Sequence, residues 1–163
     1  MKLVHVGIIS TSLVIIAGIS LVAPALIIPH MPVAHSAILS FEITNSSNLP
    51  EWCEDLASKA QQENLKGVIF IPGEIAQEFP ECVNLFKNFF DIGSSTLRYS
   101  SLESFPDYQK QLEMIQNGKE LIDKSGNINS KIFKAPFGYT DQNIYSLLTR
   151  SGIVADFSYD KQY

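Results

Sequence analysis

Apolar positions along the chain fall into two regimes. The first is one unbroken run, Val6 to Ile28, 23 residues without a charged side chain. About 20 such residues cross a bilayer as a helix. Lys2 and the α-amino group flank the run on one side, and no Lys or Arg follows until Lys59. That asymmetry predicts a cytoplasmic N-terminus with the remainder across the membrane. Residues 1–28 read either as a signal peptide or as an uncleaved transmembrane anchor. A signal peptide would be cut after Ala23-Pro24-Ala25 or at a later site ending at Ala37. The apolar character continuing through Leu26-Ile27-Ile28 suits the anchor. Pro24, Pro29 and Pro32 stop a helix and make residues 29–37 an extended linker.

The second regime, residues 38–163, alternates short apolar runs with longer amphipathic stretches. Ala37–Ile43 predicts a first strand. Leu49–Asn64 predicts a helix, with Pro50 near its start, acids in its first turns, and Trp52, Leu56 and Ala60 on one face beside Cys53. Gly67–Ile71 is a continuous apolar run closed by Pro72-Gly73, the pattern of a buried strand and turn. Ile75–Phe90 is helical in spacing but interrupted at Pro80, with Cys82, Leu85, Phe86 and Phe89 beyond it. Phe90–Gly93 predicts a short strand running into the loop Ser94-Ser95-Thr96. Asp107–Lys124 predicts an amphipathic helix on Leu112, Ile115, Lys119 and Ile122, with Gly126 beyond its end. Ile132–Ala135 is a strand entering Pro136-Phe137-Gly138. Asp141–Ser151 is a helix with Asp141 as N-cap and Gly152 as stop. Ile153–Phe157 is a last strand. Five strands alternating with four helical stretches predict an α/β fold, a parallel sheet with helices outside. Chemistry in such folds gathers at the carboxyl ends of the strands.

Charge narrows the function classes. All 17 acids, and all 12 bases except Lys2, lie beyond residue 41. An acidic domain without a basic patch predicts no nucleic-acid partner. The three His are His5, His30 and His35, so the domain itself offers no Ser-His-Asp triad, Cys-His pair or His-ligated metal. The two Cys, Cys53 and Cys82, are too few and too far apart for a zinc ribbon. In an oxidising compartment they could pair, and spacing alone does not say whether they do. Asn45-Ser46-Ser47 has the form of a glycosylation sequon.

The strand ends, taken in order, resemble the polysaccharide deacetylase family, the NodB-homology domain. Ser40-Phe41-Glu42-Ile43-Thr44 stands where that family has Thr-Phe-Asp-Asp-Gly. Gly67 to Gly73 is similar to its second strand. Asp91-Ile92-Gly93-Ser94-Ser95-Thr96-Leu97-Arg98-Tyr99 matches a segment that normally reads Glu-Ile-Gly-x-His-Thr-x-x-His. Phe133-Lys134-Ala135-Pro136-Phe137-Gly138 matches Phe-Arg-x-Pro-Tyr-Gly. Gly152 to Asp160 is similar to a strand that carries a groove-lining Asp and aromatics. The resemblance covers Ile38 to about Asp160 and implies a partial or distorted (β/α) barrel. About 126 residues remain beyond the linker, against ~250 in a typical (β/α)₈ barrel. The later strands, with the family's final Leu-x-His motif, are not among the five, so the expectation is an incomplete, C-terminally short domain.

The resemblance also implies metal-dependent N-deacetylation of glycans, in which a divalent ion such as zinc polarises the acetyl carbonyl and activates water. Carried over residue by residue, the base position holds Glu42. The metal positions hold Ile43, Ser95 and Tyr99: an alkyl group that cannot ligate, a poor neutral ligand, and a phenol that ligates as its anion. Lys134 stands for the family's Arg and keeps a charge without the bidentate fork. The expectation is a domain without the metal cofactor, catalytically impaired, extracytoplasmic, and able to hold a glycan. Its groove candidates are Lys134, Phe137, Tyr139, Asp156 and Tyr159, with Tyr99 and Phe157 also aromatic. Phe137 and Phe157 read more readily as core packing. Two alternatives stand beside this: an active hydrolase with an altered site using Glu42, Asp91, Asp156 and Asp160, oxygen ligands suited to a hard cation, and a membrane-tethered structural or interaction module.

Overall fold

The computed structural model describes residues 37–45 and 47–160. The expected leader and the linker before residue 37 lie outside them. Among the described residues no helix is long and apolar enough to cross a membrane.

Five strands form one parallel sheet: β1 (Leu39–Glu42), β2 (Gly67–Ile71), β3 (Phe90–Ser94), β4 (Ile132–Phe133) and, at the far edge, β6 (Ala155–Asp156). A separate two-stranded parallel sheet pairs β5 (Tyr139–Thr140) with β7 (Tyr159–Asp160). The order in the main sheet is β1-β2-β3-β4-β6, so each strand lies beside the one before it in that sheet. Parallel neighbours need a crossover, and helices supply it. Helix α1 (Leu49–Glu63) joins β1 to β2, α2 (Gly73–Glu78) and α3 (Pro80–Phe86) join β2 to β3, α4 (Tyr108–Gly126) joins β3 to β4, and α5 (Gln142–Arg150) leads to β6. The small β5–β7 sheet was not visible in the hydrophobic pattern, because two-residue strands are too short to show alternation.

Strand pleating sorts the side chains onto two faces. Ile69 and Ile71 of β2 join Ile43, Phe90 and Ile92 against Leu49, Cys53, Leu56 and Ala60 of α1 and Val83 and Phe86 of α3. A second cluster forms where Leu112 and Ile115 of α4 and Ile144, Leu147 and Leu148 of α5 close over Phe133 and Ala135. Helix α4 spans both, because Ile122 packs in the first. Burying one such side chain contributes about 1.5–3 kcal/mol. On the other face Phe70, fully buried, meets Phe157 at 5.3 Å between ring centroids.

Two boundaries differ from the sequence reading for identifiable reasons. The stretch expected to run from Ile75 to Phe90 is two helices. Phe79 between them is non-helical (φ −126°, ψ 64°), since a proline disfavours the helical conformation of the residue before it. Helix α4 runs through Gly126 rather than stopping short of it. Left-handed Asn127 (φ 48°) ends the helix instead. Gly126 serves close packing: a Cβ there would stand 2.8 Å from Val83 Cγ1. Asp141 caps α5 as read, accepting from the Asn143 N–H at 2.8 Å. Asp107, read as the first residue of its helix, instead caps α4 from just before it, accepting from the Lys110 N–H at 2.7 Å. Cys53 and Cys82 form a disulfide that ties α1 to α3, both residues buried.

Candidate functional site

The carboxyl end of β1 is Glu42. The pleat turns its side chain away from the helices and turns the next residue, Ile43, toward them. Ile43 donates its N–H to the Phe70 carbonyl at 3.0 Å, and its side chain is 3% exposed, inside the first core cluster. Glu42 Oε2 meets Lys134 Nζ at 3.1 Å, the two side chains being 17% and 24% exposed. Lys134 follows β4 and is held there by its N–H, which donates to the Ser94 carbonyl at 3.1 Å. The second oxygen, Glu42 Oε1, is buried with no hydrogen-bond partner.

Beside Glu42 lies an open pocket of about 280 Å³ lined by Ile43, Thr44, Asn45, Ser47, Leu49 and Trp52. A larger cleft of about 520 Å³ lies at the opposite, strand-start end, among Ile38, Val68, Phe90, Asp91 and Ile132. Asp91 therefore belongs to the wrong end of the sheet for the altered-site alternative. It pairs in register with Val68 near the start of β2.

The three degenerate metal positions do not make a coordination site. Ile43 is in the core. Ser95 is fully buried; its N–H donates to the Ile71 carbonyl at 3.1 Å and its hydroxyl has no partner. Tyr99 sets its ring against Phe137 at 5.0 Å, tilted by 56°, and its hydroxyl accepts from the Phe137 N–H at 3.4 Å. An alkyl group, an alcohol and a phenol in these settings do not fit a divalent cation. Among the described residues no group of three or more His, Cys, Asp or Glu could hold one.

Phe137 is the main correction to the expected packing. It is 59% exposed and not core, and it holds a left-handed backbone (φ 65°). Such a conformation costs a non-glycine residue about 1–3 kcal/mol and persists only where neighbours impose it. Here the neighbours are Tyr99, on its N–H, and Tyr159, whose hydroxyl donates to the Phe137 carbonyl at 2.9 Å. Gly138 follows at φ 77°, and a Cβ there would overlap the Tyr159 ring. Tyr159 is itself 62% exposed. Tyr139 opens β5 and pairs through its backbone with Tyr159. Asp156 accepts the Ser158 N–H on Oδ1 at 2.9 Å while Oδ2 is buried without a partner. Asp160 closes β7. Phe157 packs on Phe70, as its core reading expected.

The structure thus joins Glu42 to Lys134, and Tyr99 to Phe137 and Tyr159, at one end of the sheet. Trp52 was missed. The helical spacing placed it on the buried face of α1, yet it is 39% exposed and lines the Glu42 pocket. Its position in the first turn after a strand end was the available signal, because βα segments at that end line sites.

A family model for polysaccharide deacetylases matches residues 32–155. The chain belongs to the polysaccharide deacetylase family. No curated protein matches it. Among solved structures, a family 4 carbohydrate esterase from Streptomyces lividans, in complex with acetate, is 18% identical at a TM-score of 0.64, over 75% of this chain and 62% of its own. A pseudoenzyme of carbohydrate esterase family 4 (CE4) from Bacillus anthracis is 11% identical at 0.64, over 74% and 42%. A peptidoglycan N-acetylglucosamine deacetylase is 21% identical at 0.64, over 73% and 54%. The chain therefore spans less than two thirds of each relative's length. These likenesses identify the fold, a curled parallel half-barrel of the polysaccharide deacetylase type, shared by an esterase, a deacetylase and a pseudoenzyme alike. The family is in general metal-dependent, and the donor set of this polysaccharide deacetylase domain does not fit the ion.

Proposed function

We propose that this domain is a glycan-binding deacetylase relative with impaired or absent catalysis. The observation that carries the reading is Ile43: the position expected to supply a ligating carboxylate supplies a side chain packed in the hydrophobic core. Glu42 and Lys134 remain as a charged pair with one unfilled carboxylate oxygen, able to accept a hydroxyl or amide N–H of a sugar. Phe137 and Tyr159 offer exposed aromatic faces, held firmly by hydrogen bonds to the same turn. Concave sites that combine aromatic surface with a few polar groups are the usual form of a small-ligand site. The ligand is an N-acetylated glycan on the family's chemistry. The uncharged run at residues 6–28 and the disulfide together support a domain that works outside the cytoplasm, tethered or secreted.

The test is metal content together with acetate release from chitooligosaccharides and peptidoglycan fragments. The expected result is glycan binding with neither stoichiometric metal nor turnover. Bound metal with released acetate would overturn the impaired reading in favour of a C–N hydrolase with an altered site. Absence of any glycan binding would leave a structural or interaction module.

A further inference from the structure

We propose that the pocket between Glu42 and Trp52 is a separate sugar subsite that takes one pyranose ring stacked on the indole. This rests on the glycan-binding reading above and extends it to a pocket that the aromatic turn at Phe137 does not line, beside the strand end of Glu42 and Ile43.

Four observations carry it. The pocket is about 280 Å³, at the small end of ligand sites, which run from about 300 Å³ upward. That suits one ring and not a chain of them. Its lining combines the indole with Thr44, Asn45, Ser47 and Glu42, the mixture that a sugar's apolar face and hydroxyl rim require. Glu42, whose Oε1 is buried with no partner, closes the strand end beside the pocket. A buried acceptor left unpaired is costly unless a ligand or water fills it. Lastly, Trp52 is rigidly mounted. Its ring meets buried Phe86 edge-on at 5.7 Å and 70°. The adjacent Cys53 is cross-linked to Cys82. A platform fixed before binding loses little freedom on binding.

Geometry assigns the roles. The indole face takes the ring's axial C–H side, and Thr44 meets its hydroxyls. Asn45 and Ser47 stand at the exposed rim. Asn45 Oδ1 already accepts the Ser47 N–H at 3.1 Å and its Nδ2 donates to Thr44 Oγ1 at 3.5 Å, which fixes the loop and leaves one Asn45 amide N–H for the ligand.

Trp52 is the sole tryptophan of the chain, so its emission reads this site alone. The experiment titrates the full chain with N-acetylchitotetraose, following tryptophan emission, protection of that emission from iodide, and heat of binding in parallel. The expected result is a saturable emission change with the calorimetric midpoint, protection from iodide, and at least tenfold weaker binding in Trp52→Ala. Trp52→Phe retains more affinity. Should Trp52→Ala fail to fold, wild-type protection and the exposed-loop variant Asn45→Ala, expected to bind a few-fold more weakly, decide the same point. Binding heat with unchanged emission, no iodide protection and full affinity in the variants overturns the subsite and leaves glycan binding standing. No binding heat at all overturns both.

Discussion

Glu42 and Lys134 sit at the ends of strands that do not pair, with β2 and β3 between them, yet their side chains meet at 3.1 Å. Such a contact reaches over two intervening strands and needs a curled sheet. Both groups are mostly out of water, so the pair holds two desolvated charges whose separation is costly. Lys134→Met strands the carboxylate and is expected to destabilise the domain by about 2–4 kcal/mol. Adding Glu42→Gln to it is expected to recover most of that loss. Urea unfolding of the two single variants and the double decides it; purely additive losses would show that the pair is uncoupled.

Ile43 makes restoration of the metal carboxylate a stability problem before it is a catalytic one. Ile43→Asp buries an unpaired carboxylate in the first core cluster, with an expected cost of about 3–5 kcal/mol. Ile43→Val, which removes one methylene, is expected to cost about 0.5–1.5 kcal/mol. Thermal unfolding of both separates polarity from volume. An Ile43→Asp protein as stable as wild type would contradict the inward placement of this side chain.

Phe137 carries backbone strain on an exposed aromatic. Phe137→Asn places a residue that tolerates the left-handed region and is expected to raise stability by up to about 1 kcal/mol while weakening glycan binding. Gly138→Ala is expected to do the reverse to the fold, because it adds a Cβ at φ 77° against the Tyr159 ring. Chemical denaturation paired with calorimetry reads both. Loss of stability in Phe137→Asn would mean that the ring, and not the turn, is what the neighbours hold.

The disulfide closes a loop over a sequence separation of 29 residues, for which the chain-entropy model gives about 3–4 kcal/mol. Unfolding of the double variant Cys53→Ala, Cys82→Ala is expected at a lower denaturant midpoint with little change in slope. An unchanged midpoint would show that packing of α1 on α3 suffices without the link.

The alternation of strands and helices was legible because a strand such as β2 is a continuous apolar run, a helix such as α4 is long and periodic, and Pro, Gly or Asp punctuates between them. Asp141 was read as an N-cap from chemistry alone and caps as expected. The β5–β7 pairing was not legible, since neither Tyr139-Thr140 nor Tyr159-Asp160 carries a period. At the site, the residue types at positions 42, 43, 95 and 99 could be read from the resemblance. The contacts could not. That Lys134 binds Glu42, and that Tyr99 and Tyr159 hold opposite ends of residue 137, depends on strands brought together from distant parts of the chain. Trp52 was hidden by a related limit: helical spacing gives the face of α1 but not where that face runs out of protein to cover it.

The sheet order has a consequence for how the molecule comes apart and together. The strands of the main sheet lie side by side in the order in which the chain supplies them to it, so assembly can proceed by addition, each β/α unit docking on an edge already formed. Loop closure is then confined to one unit at a time, the least demanding route for parallel pairing. The increments are unequal. β2 and β3 share five registered residue pairs, whereas β3–β4 has one and β4–β6 two. Amide exchange is therefore expected to be slowest in β2 and β3 and to accelerate toward β6. The aromatic turn and Lys134 fall in the later, less protected part, while Glu42 and Trp52 fall in the earlier one. The site straddles a gradient of local stability, and a ligand that bridged the two halves would bind most tightly to the state in which the last units have docked.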